Sequence, residues 1–362
     1  MRWDIFCKVI DNHGDIGVCW RLAVQLAAGG ADSVRLWVDD ASALAWMAPQ
    51  GHPGVRLVDW SSPTAVRSAV AEPLPDVLME AFGCDPEPEL VSRVAASAAG
   101  GSNRPPPWID LEYLSAEPYV ERSHRLPSPV FHGPGAGLTR HFFYPGFTAA
   151  TGGLLREPDL LRRLSRFDRA GWLPAHGIAW RGERLVSLFC YEPAALAGLL
   201  GAWADGDEPT LLLVTPGRAA RAVRNLLPDG GRTSLRIHYL PALTQPEFDE
   251  LLWACDLNLV RGEDSFVRAM WAGRAMAWQI YPQDDDAHHD KLAAWLDTID
   301  APASMRRFHA GWNGLTTGVA APGTTTLDEW QTTMRRARSR LVRQPDLVGQ
   351  LRVFVKGLCP DS

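Results

Sequence analysis

Two successive rounds of β-rich runs followed by helical patterns constrain this chain more than any other feature. In the first half "WDIFCKVI" leads into "GVCWRLAVQLAAGG", and "SVRLWVDD", "VRLVDW" and "DVLMEAFG" follow, the last before "PELVSRVAASAAG". After "PDLLRRLSRFDRAGW" the alternation begins again, with "RLVSLFCY" before "AALAGLLGAWA", "PTLLLVTPG" before "AARAVRNLL", "SLRIHYLPAL" before "EFDELLWACD", and "LNLVRG" before "DSFVRAMWAGR". Strands alternating with helices of this length predict parallel sheets covered on both faces. At 362 residues the chain is longer than one core usually serves. The reading is an α/β protein of two Rossmann-like domains facing a cleft, one over residues 1–175 and one over 176–344, with a C-terminal helix over 345–362 able to pack back on the first. A long basic amphipathic helix is expected from Leu327 to Arg343. Ligands in such sheets sit outside the carboxyl ends of the strands.

With 46% hydrophobic and 22% charged residues the composition is that of an ordinary soluble globular protein. The net charge of -6 gives no support to a nucleic-acid partner, and the basic runs "SMRRFHAG" and "TMRRARSRLVRQ" read as solvated helix faces. Cys7, Cys19, Cys84, Cys190, Cys255 and Cys359 form no CxxC and mostly lie in apolar runs, as buried reduced thiols do. With no basic-then-apolar leader and no apolar run long enough to span a bilayer, the expectation is a cytoplasmic protein without a membrane partner.

Two turns stand out chemically. In "KVIDNHGDIGVCW" Asp11 closes a strand and Asp15 lies at the entrance of a helix, a strand-to-helix turn with two carboxylates where a phosphate-binding turn would carry glycines. An Asx turn at Asp11 and a helix cap at Asp15 fit the same spacing. A grip on a cation fits it as well, since the helix dipole keeps a carboxylate ionised there. In "LVRGEDSFVRAMWAGR" the run Arg261, Gly262, Glu263, Asp264, Ser265 ends a strand and opens a helix. Free backbone N–H groups, a hydroxyl and a guanidinium at one point can seat a diphosphate. Pairing of Arg261 with Glu263 or Asp264, and capping by Asp264 or Ser265, is the structural alternative. "QDDDAHHD", from Gln283 to Asp290, is the most metal-like string, but its spacing matches no standard ligand set and an acidic helix start explains it better. Phe189 and Tyr191 alternate at a strand end, and Phe248 lies one turn into a helix, where each is core or ligand stacker. Walker, GxGxxG, GxSxG and HExxH patterns are absent.

"WDIFCKVIDNHGDIGVCWRLA", "HFFYPGF", "SLFCYEP", "LLWACDLNLVRGEDSFVRAMWAG" and "WQIYPQ" resemble, in order and over nearly the whole length, the bacterial protein-arginine rhamnosyltransferases that modify elongation factor P. The resemblance implies the GT-B glycosyltransferase architecture, dTDP-β-L-rhamnose as donor substrate with no other cofactor, and one arginine of elongation factor P as acceptor, a modification that relieves ribosome stalling at consecutive prolines. It implies inversion at the sugar without a metal. Carried over residue by residue, the general base falls on Asp15 with Asp11 as a second required acid, and the donor contacts fall on Phe189, Tyr191, Gln245, Phe248, Arg261, Glu263, Asp264 and Ser265. His13 departs from the Phe expected in "DNFGDIG". A glycosyltransferase with a small-molecule acceptor and a non-catalytic nucleotide-sugar binder remain alternatives. The acid pair speaks against the second, since a binder of an anionic ligand has no use for it.

Overall fold

The computed structural model describes residues 1–10, 13–30, 32–99, 105–227, 234–282 and 287–359. The chain divides into two compact units, Met1–Glu157 with Arg343–Ser362, and Pro158–Val342.

The first unit runs β1 (Arg2–Cys7), α1 (Gly14–Ala27), β2 (Ser33–Val38), α2 (Leu44–Met47), β3 (Val55–Asp59), α3 (Pro63–Ala71), β4 (Val77–Ala81), α4 (Pro88–Ala99), β5 (Trp108–Leu111), α5 (Pro118–Ser123), β6 (Pro127–Pro129) and β7 (Thr139–Phe143). Its strands order as β3-β2-β1-β4-β5-β7-β6. All neighbours are parallel except the hairpin of β6 with β7 at one edge. In α1, Ile16, Cys19, Leu22, Ala23 and Leu26 recur at helical spacing, and all are fully buried against one face of the sheet with Trp3, Ile5, Val77 and Met79. Phe6, Trp37, Leu78, Leu90 and Val94 build the core on the other face. That face also buries charge. Glu80 on β4 lies opposite Asp110 on β5, and the Arg140 guanidinium on β7 reaches them at 2.9 and 3.8 Å. Burial, then the Asp110 charge, pushes the Glu80 carboxyl up to about 8 against the pull of Arg140.

The second unit runs α6 (Leu160–Arg166), α7 (Arg169–Ala175), β8 (Arg184–Leu188), α8 (Leu196–Asp205), β9 (Thr210–Val214), α9 (Arg218–Leu226), β10 (Leu235–Tyr239), α10 (Gln245–Ala254), β11 (Leu257–Arg261), α11 (Glu263–Ala272), β12 (Ala275–Gln279), α12 (Ala287–Thr298), α13 (Ala303–Trp312) and α14 (Thr324–Val342). The strands form an all-parallel sheet in the order β10-β9-β8-β11-β12. Helices α6 and α7, which the sequence pattern put with the first half, lie in this unit. Trp172 and Leu173 of α7 are buried with Leu185, Leu211 and Leu251, and the Arg169 guanidinium grips Asp256 at 2.8 Å.

After α14 the chain returns to the first unit as α15 (Leu347–Leu358), whose Leu347, Leu351 and Val355 join the core on the α1 face. Its N-cap Asp346 accepts the Gly349 N–H at 3.1 Å and the Gln25 side-chain amide at 3.0 Å, which ties the start of α15 to α1. The basic run of α14 is not wholly the solvated face expected of it. Arg336 and Arg340 are exposed beside Asp300, but half-buried Arg338 donates to the Trp271 and Ala272 carbonyls at 3.2 and 3.0 Å and so closes the C-terminus of α11. Among the described residues no helix is long and apolar enough to cross a membrane. Cys7, Cys19, Cys84, Cys190 and Cys255 are buried free thiols, and Cys359 is half-buried.

Candidate active site

In each sheet the strand order reverses beside the first strand of its unit, between β1 and β4 and between β8 and β11. Loops leaving the carboxyl ends of such a pair part to opposite faces and open a crevice, where ligands of doubly wound sheets bind. Both turns singled out in the sequence leave these strands.

In the first unit the chain leaves β1 and enters α1 at Gly14. Backbone N–H groups in this turn find carboxylates: Val9 donates to Asp39 Oδ1 at 2.9 Å and Ile10 donates to Asp15 Oδ2 at 3.0 Å. Asp15 is 6% exposed, in the first turn of α1. It does not cap the helix. The N-cap is His13, which makes no side-chain cap bond, so the carboxylate closes the preceding turn instead. His13 is half-buried with its ring edge-on to Trp46 at 5.4 Å. Asp11 lies outside the described residues. Two features of the same sheet edge carried no signal in the sequence. Phe82, just after β4, holds φ at 60° and stacks on Tyr113 at 4.8 Å. A positive φ in a bulky residue is strained backbone of the sort found at functional sites. Glu112, just after β5, accepts the Tyr144 hydroxyl at 3.5 Å, and burial, then the Asp110 charge, raises its pKa.

In the second unit Arg261 is the last residue of β11 and is 7% exposed. Its guanidinium lies over the Phe189 ring at 4.5 Å and the Tyr191 ring at 4.4 Å, both just beyond β8. Phe248 meets Phe189 edge-on at 5.7 Å from the first turn of α10. That helix starts at Gln245 because Thr244 and Glu247 form a capping box: the Thr244 hydroxyl accepts the Glu247 N–H at 3.4 Å while Glu247 accepts the Thr244 N–H at 2.8 Å. Gln279, which ends β12, accepts the Tyr191 N–H at 2.8 Å and fixes the backbone behind the ring. Phe189, Tyr191, Phe248 and Arg261 thus form one contiguous aromatic and cationic patch, and Gln245 opens the helix that carries Phe248.

Gly262, with φ 66° and ψ -177°, is the N-cap of α11 and makes no side-chain cap bond. This conformation is essentially reserved for glycine. Glu263 pairs with Lys291 of α12 at 2.5 Å, and neither Asp264 nor Ser265 caps the helix. The buried Ser265 hydroxyl donates to the Arg261 carbonyl one turn back. Charge accumulates at the rim: Arg218, at the start of α9, grips Glu192 with Nε at 2.9 Å and lies over the Tyr191 ring at 5.1 Å. The Arg218 hydrogen bond holds the Glu192 carboxyl below the usual range. Within "QDDDAHHD", Gln283, Asp284, Asp285 and Asp286 lie outside the described residues, and among the described residues no group of three His, Cys, Asp or Glu could hold a metal ion.

Two parallel-sheet α/β domains of this kind are the GT-B glycosyltransferase architecture. A UDP-glucosyltransferase from Polygonum tinctorium shares the fold with a TM-score of 0.52 over 98% of each chain, at 10% identity. The family model of the elongation factor P rhamnosyltransferase EarP matches residues 3–356, and the chain belongs to this family. A Pseudomonas aeruginosa protein named protein-arginine rhamnosyltransferase is 41% identical, the match covering 97% of this chain and 98% of that protein. A solved structure that gives the structural basis for EarP-mediated arginine glycosylation of translation elongation factor EF-P has a TM-score of 0.66 and 30% identity, covering 98% of this chain and 99% of the other.

Proposed function

We propose that the chain moves L-rhamnose from dTDP-β-L-rhamnose to the guanidinium of one arginine of elongation factor P, in the cytoplasm, with inversion at the sugar, and so relieves stalling at consecutive prolines. The observation that carries the donor half is the Arg261 guanidinium held by two rings at the head of α11, with Phe248 completing the aromatic patch. Aromatic rings suit a base or sugar face, while the guanidinium and the first turn of a helix at Glu263, Asp264 and Ser265, where the dipole is positive, suit the diphosphate. The chain's positive groups then take up the charge that grows on the leaving dTDP. The pairing of Glu263 with Lys291 suits a sugar-facing or orienting role for this carboxylate better than phosphate contact.

The acceptor half rests on the acidic turn. Arginine is protonated at any relevant pH, and a guanidinium is a poor nucleophile. In this reading Asp15 and Asp11 grip the planar fork, aim one nitrogen at the anomeric carbon, and Asp15 takes a proton as the C–N bond forms and the C–O bond to dTDP breaks. The Ile10 N–H on Asp15 Oδ2 fixes the carboxylate for this task. One displacement turns the β-linked donor into an α-linked product with no enzyme nucleophile. The test is tandem mass spectrometry and proton NMR of elongation factor P after incubation with the protein and dTDP-β-L-rhamnose. One deoxyhexose on one arginine in α linkage is expected. No transfer to the protein, or transfer only to a small molecule, contradicts the reading.

A further inference from the structure

Asp249 and Arg268 are each 1% exposed, in the interior of the second unit. They meet as a fork on a fork, with Arg268 Nε donating to Asp249 Oδ1 and Nη2 to Oδ2, both at 2.7 Å. Asp249 belongs to α10 and Arg268 to α11, helices that pack against each other. Asp249 follows Gln245 by one helical turn and adjoins Phe248; Arg268 follows Asp264 by one turn. The pair therefore spans the two helices one turn below the two stretches that the proposed donor site draws on. A third charge frames it, as the Arg163 guanidinium of α6 lies 3.9 Å from Asp249 and over the Trp253 ring at 5.4 Å.

A buried ion pair is a poor way to stabilise a fold, because desolvation offsets most of the attraction and apolar side chains of similar volume serve as well or better. Its distinctive property is geometric. The apolar attraction among buried Leu251, Leu252 and Phe266 of these helices is non-directional. A planar two-bond fork adds a fixed direction and distance. We propose that Asp249–Arg268 is a positioning pair that sets the distance and rotation between the Gln245–Phe248 turn and the Arg261–Ser265 turn, and thereby the affinity for the nucleotide sugar. The inference rests on the donor-site reading given above.

The test compares initial rates with varied dTDP-β-L-rhamnose and varied elongation factor P for three proteins beside the wild type. Arg268→Lys keeps the charge and most of the stem but loses the fork. Asp249→Leu with Arg268→Met replaces the pair by apolar volume. Arg261→Ala reports on the donor site itself. Expected are a donor KM raised fivefold or more in Arg268→Lys and in the apolar double variant, with the acceptor KM within twofold and the double variant melting as wild type does. A purely structural pair would lower the melting temperature and leave the donor KM within twofold in whichever variants fold, and that result overturns the inference. If Arg261→Ala raises the donor KM while both changes at the pair leave it alone, the positioning role fails and the donor site stands. If Arg261→Ala leaves both kcat and the donor KM unchanged, both fall.

Discussion

Arg261 is held in place from its flanks, by rings that belong to another strand's loop. Lysine would keep the charge but not the planar stacking or the fork, so the position discriminates between two cations. Arg261→Ala should cost about 3 kcal/mol of transition-state stabilisation, a loss of roughly 100-fold in kcat/KM for the donor. Steady-state rates with varied donor check this, and a loss under fivefold contradicts it. At this scale the sequence was readable only in part. "RGEDSF" marks the turn by its residue types, but Lys291, which pairs with Glu263, lies 28 residues on and meets it only through the packing of α12. Nothing around Phe82 announces its positive φ, because that strain is imposed by the exit from β4 and the stack on Tyr113.

Helix α11 begins where it does because Gly262 takes a backbone conformation closed to other residues, and it ends at Gly273, in the left-handed region, under the Arg338 cap. Gly262→Ala should therefore cost about 1–3 kcal/mol in stability and misdirect the first turn of α11. Urea melts and calorimetric titration with dTDP check both effects, and a variant that binds dTDP as wild type does contradicts the role given to the turn. The βα alternation was readable at this scale because each strand is a short apolar run and each helix repeats its apolar residues at 3.6-residue spacing. The placement of α6 and α7 was not. Their amphipathic pattern says that one face must be buried but not against which core, and the choice is made by Trp172 and by the pairing of Arg169 with Asp256, 87 residues on.

For the molecule as a whole, the buried acid pair of the first sheet predicts a pH dependence. Glu80 titrates at about 8 in the fold against an ordinary 4.5. Between those values the folded chain keeps a proton that the unfolded chain has released, so this group's contribution is most favourable below the lower value, declines as pH rises and levels off above the upper one. Glu80→Gln should flatten that decline, as urea melts at about pH 5.5 and about pH 8 will show. A wild-type slope equal to that of the variant would place the titration elsewhere. The central claim concerns division of labour, with an acidic turn in one unit for the arginine and an aromatic and cationic patch in the other for the donor. The most direct measurement is the rate of rhamnose transfer by the full chain carrying Asp15→Asn, at a donor concentration where calorimetry shows it saturated. The account predicts an unchanged dTDP-β-L-rhamnose affinity and transfer slowed by roughly 100-fold or more. Transfer within a few-fold of wild type would contradict the role of Asp15 as the base and with it the reading of the acidic turn.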